Sequence, residues 1–193
     1  MRDPILTDGG AELVRFARAR VEQALGGPRV TPPAGEWTRQ LGATFVTLRW
    51  VDGRLHGCIG SLEPRTALLD DVAKNAVAAA LRDPRAEPIS LEDVAQLDVE
   101  LSILSALEPI SFEDEASAHA AVEVGVHGVV FAHGDRRSTF LPAMWSRFGD
   151  VASFMAALKM KAGLRADFWD DTVKLWRYVV DKHVDPAPAR KSG

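Results

Sequence analysis

The chemistry in this sequence converges on one short stretch, Leu55-His56-Gly57-Cys58-Ile59-Gly60-Ser61, which holds the only cysteine among 193 residues. A free thiol has a pKa of about 8.5, so about a tenth of it is thiolate at pH 7.5. A cation close to the sulfur favours the thiolate and makes it a nucleophile at physiological pH. His56 stands two residues before the cysteine, and Arg49 and Arg54 lie just upstream. Cys58 and His56 are therefore the catalytic candidates, and Arg49 and Arg54 are candidates for holding an anionic group. The opposing expectation is a small buried hydrophobe, the commonest fate of an unpaired cysteine.

A hairpin must position these groups. Thr44 to Val51 is rich in β-formers, and Asp52-Gly53 offers a two-residue turn. Counting outward from that turn pairs Arg49 with His56, Leu48 with Gly57, Thr47 with Cys58 and Val46 with Ile59. Paired residues share a face. Val46, Leu48, Trp50, Leu55 and Ile59 then form an apolar side, while Thr47, Arg49, Arg54, His56 and Cys58 form a polar one. Adjacent residues of one face lie about 7 Å apart at Cα, which is compatible with a Cys58–His56 contact. Glu63-Pro64 introduces a helix over about residues 65–82, so backbone N–H groups near Gly60 and Ser61 either hold an anion or simply join strand to helix. Leu97 to Leu104 alternates cleanly as a strand. Its outward Glu100 is either an acid, base or ion-pair partner of Cys58 or a solvated strand residue.

The sequence resembles the AMMECR-type domain family, known in bacteria and archaea as AmmeMemoRadiSam system protein A. The matching strings are Leu55-His56-Gly57-Cys58-Ile59-Gly60, Asn75-Ala76-Val77-Ala78-Ala79-Ala80 leading to Asp83-Pro84-Arg85, Val99-Glu100-Leu101-Ser102-Ile103-Leu104, Val124-Gly125-Val126-His127-Gly128, Phe140-Leu141-Pro142 and Lys161-Ala162-Gly163-Leu164. They occur in the family's order, from about residue 10 to about residue 181. The resemblance implies an α+β fold of mainly antiparallel sheets with flanking helices, a larger and a smaller lobe, and a cleft near the cysteine motif. It implies partnership with Memo-like and radical S-adenosylmethionine proteins; Gly57, Gly60, Ser61 and His127 stand beside Arg49 and Arg54 as ligand-binding candidates. It implies no particular reaction. Three positions depart from the family pattern: His56 where arginine is usual, Ala86 where phenylalanine follows Asp-Pro-Arg, and Lys159 near the place of a second cysteine. Histidine titrates near 6.5, so it is no permanent cation.

The rest of the chain bounds the answer. Hydrophobic residues make up 47% and the formal net charge is −4, with both signs interspersed. That balance, with no basic-aromatic strip, opposes nucleic-acid binding. One cysteine excludes an internal disulfide. His127 and His133 are too far apart along an extended run to share a metal, and no zinc-ligand spacing occurs, so neither a metal nor a cofactor is expected. No run approaches the roughly 20 apolar residues of a membrane span and the first residues lack a signal-peptide core, which implies a cytoplasmic location with no membrane contact.

Further elements follow from spacing. Asp8 is expected to cap a first helix with Leu13, Phe16, Ala17, Val21 and Leu25 on one face. Residues 111–121 read as a short helix, Val122–Gly125, Gly128–His133 and Arg136–Leu141 as strands, and Asp150 as the cap of an apolar-striped helix ending at Gly163. The expected organisation is a single domain over residues 1–183 with two subdomains, the smaller within about 65–135, and a disordered tail at 184–193. Two functions are open: thiol-dependent chemistry or ligand binding, on a small molecule or protein side chain, in a Cys58-lined cleft; or a non-catalytic adaptor that docks on its pathway partners.

Overall fold

A computed structural model of the chain describes residues 9–191, with side chains through residue 189. It divides into two compact units, one built from residues up to Leu104 together with Asp181 onward, the other from Ser105–Val180. Helices and antiparallel strands are mixed in each, which is the α+β class.

The first unit begins with α1 (Gly10–Ala24), whose Leu13, Phe16, Ala17 and Val21 are buried at three- and four-residue spacing. Gly9 stands at its N-cap without a side-chain cap, and Asp8 lies outside the described residues. A 3₁₀ turn over Glu36–Arg39 leads to β1 (Leu41–Gly42), β2 (Thr44–Trp50), β3 (Leu55–Gly60), β4 (Thr66–Ala67) and α2 (Leu68–Leu81). β5 (Leu97–Leu104) and, much later, β10 (Val180–Asp185) complete a four-stranded sheet in the order β10–β5–β2–β3, while β1 pairs with β4. Val46 and Leu48 of β2, and Leu97, Val99, Leu101 and Ile103 of β5, bury one face under α1 and α2. Each such side chain contributes about 1.5–3 kcal/mol. Gly57 is what lets α2 lie this close to β3, because a Cβ there would meet the carbonyl oxygen of Ala79 at 2.1 Å.

The hairpin turns at Asp52-Gly53 as the sequence predicts, and Val46, Thr47 and Leu48 pair with Ile59, Cys58 and Gly57. Nearer the turn the register shifts. Arg49 pairs with Leu55 rather than His56, so His56 is the extra residue of a β-bulge. Turn-based counting assumes an unbroken ladder, and one inserted residue reverses the faces on the turn side of it.

Within the stretch expected to be a tail, β10 runs on to Asp185 and a short helix, α5 (Pro188–Lys191), follows. Pro186 and Pro188 suggest a break in the sequence, yet buried Arg18 of α1 pairs with Asp185 and donates to the carbonyls of Val94, Leu97 and Asp185 at 3.1, 3.0 and 2.8 Å. Asp98 Oδ1 accepts the N–H of fully buried Ala187 at 2.8 Å. Residues 192 and 193 lie outside the described residues.

The second unit contains β6 (Glu108–Pro109), α3 (Glu115–Ala120), β7 (Gly128–His133), β8 (Arg136–Phe140), α4 (Val151–Lys161) and β9 (Lys174–Tyr178), with sheet order β6–β9–β7–β8. Its core is Phe131, Phe154, Met155, Leu158 and Leu175, with Trp145 stacked on Phe154 at 3.8 Å. Asp150 caps α4 by accepting the Ser153 N–H at 2.7 Å, as the sequence predicts. Val122–Gly125 is no strand: Gly125 takes φ 81° and the Glu123 carbonyl accepts the N–H of His127 at 3.1 Å, closing a turn. The unit runs from Ser105 to Val180 rather than within 65–135, because α2 and β5 spend their apolar faces on the first sheet. β9 is followed directly by β10, with Val179 between them.

Candidate functional site

The sheet face of the first unit opposite α1 and α2 carries the candidate chemistry. Cys58 is half-buried there, and Thr47, its register partner on β2, donates from Oγ1 to the sulfur at 3.1 Å. Thr47 pairs on its other side with Glu100 of β5, which puts Cys58, Thr47 and Glu100 in one row across three strands. Lys182 on β10 closes the row with Nζ 2.8 Å from Glu100 Oε2, and Arg49 Nε lies 3.6 Å from Glu100 Oε1. The structure thus brings together Cys58, Glu100 and Arg49, three of the sequence candidates, with Thr47 between thiol and carboxylate.

His56 is not among them. The bulge turns it to the helix side, where it is buried, hydrogen-bonds through Nε2 to the Ala80 carbonyl at 3.1 Å and meets the Trp50 ring edge-on at 5.7 Å. The expected Cys58–His56 pair therefore does not form. Arg54 stays at the hairpin tip, paired with Asp52 at 2.8 Å and lying over the Trp50 ring.

A second group, which the sequence reading passed over, acts from the sheet edge. β3 is an edge strand, and the backbone N–H of Cys58 donates to Asp83 Oδ2 at 2.8 Å. Buried Asp83 follows the C-terminal end of α2 and also accepts Arg85 through Nε at 2.9 Å and Nη2 at 2.7 Å. The Arg85 hydrogen bond, opposed by burial and aided by the Cys58 and Arg85 N–H groups, holds the Asp83 carboxyl well below the usual carboxylate range. The Arg85 guanidinium is raised in turn, chiefly by the Asp83 hydrogen bond, with the Cys58 sulfur among its lesser electrostatic neighbours. The signal lies in the Asp83-Pro84-Arg85 string, one of the strings that carry the family resemblance, where an acid and a base stand two residues apart.

Ser61, expected near an anion, is built into the scaffold. Its hydroxyl donates to Asp71 Oδ1 at 2.6 Å, while Asp71 Oδ2 accepts the Thr44 N–H, the Thr44 hydroxyl and Asn75 Nδ2 at 2.8, 2.8 and 2.9 Å. That network ties the end of β3 to the start of β2 and to α2. Gly60 lies under Phe45, whose ring a Cβ would meet at 2.2 Å. His127 belongs to the second unit, where Nδ1 accepts the Glu123 N–H at 3.0 Å and the Trp145 indole donates to its carbonyl at 2.8 Å. A cavity of about 570 Å³ lies between the loop around Pro33–Arg39 and the start of α2, and its lining includes none of the sequence candidates. Among the described residues, no group of three or more His, Cys, Asp or Glu is disposed to hold a metal ion, and no helix is long and apolar enough to cross a membrane.

Comparison with known proteins places this geometry in a family. The AMMECR1 family model matches residues 14–183. The chain belongs to the AMMECR1 family. A protein of Methanothermobacter thermautotrophicus is 36% identical over 180 residues, covering 91% of this chain and 93% of its own. Protein MJ0810 of Methanocaldococcus jannaschii is 34% identical over 173 residues, covering 88% of this chain and 86% of its own. Among solved structures, an uncharacterized protein from Pyrococcus horikoshii superposes with a TM-score of 0.82 at 30% identity, covering 93% of each chain. The AMMECR1 match takes in both units and every residue of the Cys58 row, Lys182 included.

Proposed function

We propose that this AMMECR1-family chain is a cytoplasmic component of a modification pathway shared with Memo-like and radical S-adenosylmethionine proteins. In this reading the sheet face around Cys58 carries its activity, as thiol-dependent chemistry or ligand binding on a small molecule or protein side chain. Family membership supports the pathway half of the reading. The observation that carries the rest is the setting of the sulfur: half-buried on an unhelical face, receiving a hydroxyl hydrogen bond from Thr47, its strand fixed by Asp83. The test is the rate of alkylation of Cys58 against pH. Reaction already substantial near pH 7 is expected, and reaction confined to pH above 8.5 overturns the thiol reading.

One observation favours the second reading, a non-catalytic adaptor. His56, expected to poise the thiolate, is spent on the Ala80 carbonyl, and the hydrogen-bond partner of the thiol is a threonine that cannot accept its proton at neutral pH. Co-purification of the pathway partners with wild-type and Cys58→Ser protein separates the two. Retained binding together with retained pathway output in Cys58→Ser favours the adaptor; retained binding with lost output favours the thiol.

A further inference from the structure

Three ion pairs lie on or beside the Cys58 face, and in each the cation is the exposed partner. The Arg85 side chain is 59% exposed against 1% for Asp83, and Lys182 and Arg49 are 51% and 42% exposed against 18% for Glu100, the carboxylate they share. Three cations thus share two carboxylates that lie beneath them, which leaves one positive charge in excess. Asp98, the other acid of β5 on this side, turns Oδ1 to the Ala187 N–H. In these three pairs solvent meets guanidinium and ammonium groups before it meets a carboxylate.

Arg85 is the cation nearest the thiol in bonding terms, since it and the Cys58 N–H share one oxygen of Asp83. Asp83 engages Nε and Nη2, which fixes the guanidinium plane and leaves Nη1 without a hydrogen-bond partner among the described residues. A guanidinium held in this way is suited to receive a second oxyanion.

We propose that this face takes a substrate bearing a carboxylate or phosphate group, seated on Arg85 beside the Cys58 thiol, with Arg49 and Lys182 extending the positive surface. The inference rests on the Cys58 reading above and names its substrate class. The basic surface acts before any chemistry, by concentrating anions near the sulfur, so its effect weakens with ionic strength.

Iodoacetate and iodoacetamide test it, because both transfer a two-carbon group to a thiolate with loss of iodide and differ in charge. The rate ratio of iodoacetate to iodoacetamide at Cys58 is expected to exceed that of N-acetylcysteine by about fivefold at low salt, the scale of a partly exposed charge interaction. Arg85→Gln is expected to bring the ratio down toward the free-thiol value, Arg85→Lys to keep most of it, and added salt to collapse it. Slowing of iodoacetamide by inorganic phosphate but not by acetate assigns the group as phosphate; the reverse assigns a carboxylate. A wild-type ratio equal to that of N-acetylcysteine overturns the inference without any variant, and leaves the thiol reading standing. A Cys58 in folded protein that reacts with neither reagent removes the thiol reading and this inference together.

Discussion

The backbone N–H of Cys58 and the guanidinium of Arg85 meet on a single oxygen of Asp83, at 2.8 and 2.7 Å. An edge strand leaves every second N–H without a ladder partner, and such groups attract stray strands. Here the edge N–H at the one position bearing a thiol is taken by a carboxylate from the segment just after α2. The placement of Cys58 therefore depends on the turn that ends a helix on the opposite side of the sheet.

Asp83→Ala removes the acceptor for both groups and leaves them without compensation. A loss of about 2–3 kcal/mol is expected in chemical denaturation. The carboxyl's pKa is lowered in the folded state, first by Arg85, so its contribution is complete above about pH 4 and declines as the pH falls below that. Wild-type protein should lose stability faster than Asp83→Asn on titration from pH 5 to pH 3.

His56→Ala tests the bulge. The variant loses the Ala80 hydrogen bond and the edge-on Trp50 contact from a buried site, for an expected cost of about 2–3 kcal/mol. The pH profile of Cys58 alkylation should not move, because the imidazole lies on the other side of the sheet. A profile shifted toward higher pH contradicts that placement.

Gly57→Ala drives a methyl group into the Ala79 carbonyl of α2, a contact that helix and strand relieve only by separating. At least about 2 kcal/mol of destabilisation is expected, well above the ordinary effect of an alanine in a strand. Thermal melting against wild type measures it.

Two histidines of the second unit give it a pH dependence. Burial pushes His119 below its ordinary value, with Lys159 adding to the effect and Glu115 opposing it; burial and then Arg177 do the same for His127, against Glu123. Both take up a proton less readily in the folded protein than in the unfolded chain. Stability from this source is complete above about pH 6.5 and falls as the pH drops below it. Melting temperatures between pH 7.5 and 5.5 should decline in wild type and flatten in His119→Gln/His127→Gln.

Periodicity made much of the framework legible. The alternation of Leu97 to Leu104 forms β5 with the expected faces, Asp150 caps α4, and Thr47 meets Cys58 as counted from the turn. What escaped has a common cause in tertiary contact. The bulge at His56 answers to the packing of α2, not to any local preference of Leu55-His56-Gly57. Asp83 looked like punctuation because its partners lie 25 residues away and two residues on. Residues 184–191 looked unstructured because Arg18, which holds Asp185, sits 167 positions upstream.

Ser105 and Val179 exchange hydrogen bonds, N–H to carbonyl at 3.0 Å and N–H to hydroxyl at 3.0 Å. The excursion that makes the second unit thus departs and comes back through one narrow doorway, with its two ends already touching. Excising everything between and bridging the gap with a short turn would cut no strand of the sheet that bears Cys58. The thiol-bearing unit is, in chain terms, a host of two segments into which the other unit has been spliced.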